Sequence, residues 1–191
     1  MKKKIKWFAA GVGILLLLSI ISSSESDKKI KSETSTSPES QEVPQAQPEL
    51  TDKQLIENTI TQLLSGQNNR KVNNLGNTNI TEIKDGIFKV EVEFNANDNF
   101  GNDLIKSGIE KQMSEIYQAL FTGYKTVGEV SVGAKFPMVN EYGDESDVVV
   151  YHTTLIKDEA DKVNWEADDS TLKLTILPSV WQTDILHSEF K

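Results

Sequence analysis

Cysteine is absent from all 191 residues, which excludes disulfides, thiolate nucleophiles, cysteine-held metals and a lipid-modified N-terminal cysteine. Stability must then come from burial and hydrogen bonding. Histidine is nearly as scarce. His152 and His187 are the only two, and without H-x-x-x-H spacing they carry no zinc signature. Serine-nucleophile motifs are incomplete. Ser131 lies in G-x-x-S-x-G between Gly128 and Gly133, not in the G-x-S-x-G elbow, and in an alternating strand rather than a strand-to-helix turn. Ser170 and Lys173 match S-x-x-K, an arrangement in which an amine activates a hydroxyl. The companion S-D-N and K-T-G elements fail at Ser146-Asp147-Val148 and Lys125-Thr126-Val127.

What is present begins at the N-terminus. Lys2, Lys3, Lys4 and Lys6 precede an apolar stretch of fifteen residues from Trp7 to Ile21, followed by Ser22, Ser23 and Ser24. This is the three-part pattern of a secretory signal or signal-anchor over 1–21. The lysines predict an inner N-terminus and an outward-facing remainder. As a helix the stretch spans about 22 Å, short of a bilayer core of about 30 Å, and Ser22 with Ser24 makes a small-x-small cleavage pair. Against cleavage, Leu15 to Leu18 are strongly apolar and the lysines can snorkel. Two fates follow: a single-pass membrane protein with its domain outside, or secretion after cleavage near Ser24.

Residues 22–49 are rich in Ser, Thr, Glu, Gln and Lys. They hold three of the five prolines, Pro38, Pro44 and Pro48. Too little apolar area is present to offset ordering entropy, so the segment reads as a disordered linker with an average reach of roughly 30 Å. Residues 50–191 are the length of one ordinary domain. All 29 acidic residues but only 16 of the 20 basic ones lie beyond Ser24, so that part carries a formal charge of −13. Such a field repels nucleic acid and anionic lipid. It suits a basic protein surface, a divalent metal or a cationic ligand.

The domain begins with a clear helix signal. Thr51 and Gln54 form a capping-box pair, Leu50 and Leu55 a staple, and Leu55, Ile56, Ile60, Leu63 and Leu64 recur at helical spacing before Gly66. Gln67 to Asn74 reads as a loop. Asp85-Gly86 between Ile80–Lys84 and Ile87–Phe94 predicts a two-residue hairpin. There Phe88, Val90, Val92 and Phe94 face one way, with Lys89, Glu91 and Glu93 opposite, giving a sheet with one dry face. Residues 102–121 form a second amphipathic helix through Ile105, Ile109, Met113, Ile116 and Leu120. Strands over 126–136 and 147–156 follow. Val148, Val149 and Val150 break alternation in the latter, which predicts burial on both faces. Lys157 to Val163 reads as a short helix.

The predicted class is therefore α+β: a four-stranded antiparallel sheet of two hairpins, two main helices on one face, a short C-terminal helix and an apolar tail. In the tail, Leu174, Ile176, Leu177, Val180, Trp181, Ile185, Leu186 and Phe190 either dock on the domain or wait for a partner.

The loop of Asn95, Asn97, Asp98, Asn99, Asn102 and Asp103 fails as an EF-hand, because Phe100 and Lys106 occupy the glycine and glutamate places. It reads as capping and turn chemistry. Glu141, Asp144, Glu145 and Asp147 around Gly143 make an acidic hairpin tip, either solvated or able to meet a basic partner or hard cation. Asn79-Ile80-Thr81 is a glycosylation sequon. No residue qualifies as catalytic, cofactor-binding or metal-ligating, and no cofactor is implied. The expectation is a non-enzymatic binding module at the cell surface. It would meet an unknown protein or cationic ligand through the acidic tip or an uncovered part of the sheet, and the membrane through an uncleaved leader. The alternative is an extracytoplasmic hydrolase using carboxylates or the Ser170/Lys173 pair.

Overall fold

Thr51 opens the first element. Its hydroxyl accepts from the Gln54 amide while the Gln54 side chain accepts from the Thr51 amide, closing the predicted box at the head of α1 (Asp52–Leu63). A computed structural model describes residues 50–191, so the leader over 1–21 and the linker over 22–49 lie outside the described residues. Asp85 and Gly86 adopt φ of 48° and 78°, the left-handed pair that a tight hairpin requires. They join β1 (Leu75–Lys84) to β2 (Ile87–Asn95). Helix α2 (Asn102–Gly123) follows, then β3 (Val127–Val139) and β4 (Glu145–Ile156), an antiparallel pair.

The described residues form an α+β domain with one mixed sheet of five strands in the order β1-β2-β3-β4-β5. This corrects the expected four-stranded antiparallel sheet twice. First, β2 and β3 pair in parallel, because the connection between them carries α2, and a crossover of that length returns the chain to the same end of the sheet. Second, the tail supplies a fifth strand, β5 (Gln182–Leu186), antiparallel to β4.

Between β4 and β5 the chain makes the short helices α3 (Lys157–Ala160), α4 (Asp169–Thr171) and α5 (Leu177–Val180), with a π-turn at Leu172–Ile176 joining the last two. Pro178 has no N–H to give to the carbonyl one turn back, which removes an α-type bond where the wide turn ends. The tail docks. Leu172, Leu177, Trp181 and Phe190 are buried in one cluster with Ile56 and Ile60 of α1, Ile109, Met113, Ile116 and Leu120 of α2, and Val90, Val92, Phe94, Val130 and Val132 of the sheet. Leu174 and Ile185 stay about half exposed.

The broken alternation in β4 has a different cause from the one expected. Ala134 pairs with Tyr151 but Lys135 pairs with Val149, so Val150 is an extra residue, a β-bulge. Val150 and Tyr151 are both buried and Val148 is exposed on the arm beyond it. The strand is flanked on both edges without being buried on both faces.

Candidate functional site

Apolar alternation seats α1, α2 and the tail on one face of the sheet and leaves the other uncovered by any described element. Four strands display polar side chains there in register. Asn77 of β1 stands opposite Glu93 of β2, then Gly133 of β3 and His152 of β4; the neighbouring rank is Asn79, Glu91, Ser131 and Thr154. Between them lies a depression of about 390 Å³ lined by Asn77, Asn79, Glu91, Val92, Glu93, Ser131, Gly133 and His152. Gly133 forms its floor. A Cβ there would sit 3.5 Å from Val149 Cγ1, 3.6 Å from Glu93 Cγ and 3.6 Å from His152 Cδ2, ordinary contacts, so the missing side chain is what keeps the floor open.

The carboxylates are held by partners on the same or neighbouring strands. Asn79 Nδ2 donates to Glu91 Oε2 at 2.8 Å, and Lys89 Nζ lies 3.2 Å from Glu91 Oε1 and 3.2 Å from Glu129 Oε1. The Asn79 bond first, and Lys89 second, hold the Glu91 carboxyl below its ordinary range. The bonds to Glu129 and Glu91 raise the Lys89 ammonium. Lys135 Nζ approaches Glu93 Oε2 at 2.6 Å. The depression thus has two acid–base pairs at its walls.

Its fourth wall is set by a second bulge. His152 pairs with Ile185 and Thr153 with Thr183, so Asp184 is the extra residue of β5. A bulge re-aims a side chain, and here the Asp184 carboxylate reaches His152 Nδ1 at 3.1 Å and accepts from Thr154 Oγ1 at 3.5 Å. Ser131, buried, shares a 3.0 Å hydrogen bond with Thr154 Oγ1. The base–orienter half of a catalytic array is present in His152 and Asp184, while the serine is engaged with a threonine.

The other sequence-predicted groups lie elsewhere. Lys173 Nζ is 2.8 Å from both Glu115 Oε1 and Asp169 Oδ1. Burial pulls its ammonium down, but the bonds to Asp169 and Glu115 outweigh it and leave the group above the ordinary lysine value. Held protonated, Lys173 is no base for Ser170. The asparagine-rich loop does not cap α2, whose N-cap is Gly101 without a side-chain bond. It clamps the 67–74 loop instead. Buried Asn68 donates to the Asn95 and Ala96 carbonyls and accepts from the amides of Arg70 and Val72, Asn97 Oδ1 accepts from the Asn69 amide, and Asn69 Nδ2 donates to the Asp98 carbonyl.

Beside this clamp Asn69, Arg70, Asp98, Asn99 and Phe100 border a larger hollow of about 540 Å³. Arg70, the only arginine in the chain, is engaged through Nε and Nη1, while its buried Nη2 has no partner among the described residues. It donates to the Ala96 carbonyl, pairs with Asp147 at 3.1 Å and stacks over Phe136 at 5.4 Å. The acidic tip therefore gives up Asp147 to an internal pair. Asn140 Oδ1 closes the tip by accepting from the amides of Tyr142 and Asp144. Among the described residues no group of three or more His, Asp or Glu side chains is placed to hold a metal ion.

Sequence reasoning placed Glu91 and Glu93 on the wet face by alternation and flagged Asn79 as a sequon. It missed Asn77, Gly133 and Asp184 as one site. Only the register brings these together, and no spacing in a single strand encodes it. Among the described residues no helix is long and apolar enough to cross a membrane. Comparisons with protein-family models, with curated proteins and with solved structures find no match to this chain.

Proposed function

We propose that the chain is an exported, non-enzymatic binding module, possessing a leader that anchors or releases it, and that its ligand sits on the open face of the sheet. The observation that carries this reading is the depression over Gly133, an uncovered concavity walled by side chains from four strands. Functional sites of this kind combine a shaped hollow with a few fixed polar groups. The helices leave this face clear, and four of the five strands lend it a residue.

The test uses full-length protein on intact cells with a photoreactive group at Asn77 or, as a control, at Lys111 on the solvent side of α2. Adducts should form from Asn77 and fall sharply when Gly133→Leu fills the floor. Equal adducts from both positions, or adducts indifferent to Gly133→Leu, overturn the reading.

The hydrolase reading keeps one supporting observation, the His152–Asp184 pair beside Ser131. A serine-directed fluorophosphonate that labels Ser131 would favour it. Labelling absent at Ser131 in a folded protein removes it.

A further inference from the structure

The ligand class follows from the inventory of the depression, and this step rests on the open-face reading above. We infer that the site takes a neutral, hydroxyl-rich molecule, the face of a sugar ring. Its acids, Glu91 and Glu93, each have a lysine within salt-bridge distance, Lys89 being shared between Glu91 and Glu129, so neither wall carboxylate is bare. An anion would meet these carboxylates and that of Asp184. A cation at Glu91 or Glu93 would have to displace Lys89 or Lys135 from its partner. A free metal ion lacks a converging ligand set among the described residues. An apolar ligand would strip water from amides, carboxylates and an imidazole and return no hydrogen bonds to them.

A sugar hydroxyl differs from all four because it donates and accepts at once. Each Asn–Glu rank offers both halves: an amide, which in Asn79 keeps one N–H beyond that given to Glu91, and a carboxylate with acceptor sites beyond those used by its lysine and, in Glu91, by Asn79. The ranks at Asn77/Glu93 and Asn79/Glu91 are two residues apart, about 7 Å along the strands, the scale of a pyranose ring and its substituents. Asp184 takes Nδ1 of His152, and the Cδ2 edge of the same ring borders the floor over Gly133. With the Asp184 carboxylate as acceptor, Nδ1 is the nitrogen that donates. The absent side chain at Gly133 lets a flat ring approach the sheet.

The experiment titrates ¹⁵N-labelled full-length protein, in amine-oxide micelles free of sugar headgroups, with glucose, galactose, N-acetylglucosamine, cellotetraose and chitotetraose. Putrescine and inorganic phosphate serve as charged probes. At least one neutral sugar should shift the amides of Asn77, Asn79, Ser131 and Gly133 in a saturable way. Asn79→Asp, which exchanges a donor for an acceptor, should weaken that binding about tenfold, and Gly133→Leu should abolish it. Shifts with putrescine or phosphate and none with a sugar overturn the ligand class while leaving the open face as the binding surface. No shift with any probe overturns the inference too. Sugar shifts that persist in Gly133→Leu place the contact elsewhere and overturn both readings.

Discussion

Lys173 is the only charged residue in the buried set of the described domain. Its two carboxylate partners keep its ammonium charged, and a charged group removed from water is costly once its partner is lost. Glu115→Gln takes one of the two carboxylate partners from this buried ammonium. A loss of about 1–3 kcal/mol in urea unfolding is expected, against a change within about 0.5 kcal/mol for Ser170→Ala. Equal effects of the two substitutions would contradict this assignment. The raised groups also set a pH dependence. Burial raises the Tyr117 hydroxyl above its ordinary range and pushes Tyr151 up to about 12; Lys89 and Lys173 are raised as well. Above about pH 10 the unfolded chain releases protons that the folded one retains, so stability is full below that pH and falls as pH rises. Tyr117→Phe, which also gives up the 2.8 Å bond to Thr153 Oγ1, should cost about 1–2 kcal/mol at neutral pH. It should also make the alkaline decline shallower, read by urea midpoints between pH 8 and 11.

Elements defined by local chemistry were legible in the sequence. The capping box of α1, the Asp85-Gly86 turn and the alternation of β2 each depend on neighbours within a few residues, and each stands in the structure. Thr51→Ala should therefore cost about 1 kcal/mol, measurable as a lowered unfolding midpoint with the native fold retained. What escaped was set by distant partners. The parallel pairing of β2 with β3 depends on where α2 lands. The fifth strand depends on an edge that β4 exposes only once paired with β3. Three valines in a row look the same whether a strand is buried on both sides or carries a bulge at Val150, and only the partner's register separates the cases. The candidate site was half readable for the same reason: alternation places Glu91 and Glu93 on the wet side, while the approach of Asp184 to His152 comes from a bulge in another strand.

For the whole molecule the decisive fact is how much of the interior comes from the C-terminal segment. Trp181 packs against Tyr117 of α2 with the rings tilted at 44° and their centroids 5.6 Å apart, and Phe190 meets Phe136 edge-on at 6.0 Å. Trp181→Ala should lose about 3–5 kcal/mol, a large share of the roughly 5–15 kcal/mol that a domain possesses. A near-neutral result would mean the tail is peripheral. The export proposal has its own check at this scale. Protease added to intact cells should digest the domain, and mass spectrometry should find either the intact N-terminus in membranes or a start near Glu25 in the medium. Protection in intact cells with digestion after lysis would invert the orientation.

Because β5 and the helices before it follow in the chain everything they pack against, the domain cannot close until these last elements have been synthesised. Helices α1 and α2 and the first four strands emerge with Val90, Val130 and Met113 lacking part of their cover. The nascent chain is thus a half-built shell whose final wedge arrives with Trp181 and Phe190. A ribosome stalled before residue 181 should hold a species open to chaperones and proteases, and emergence of the segment holding Trp181 and Phe190 should be the step that shuts it.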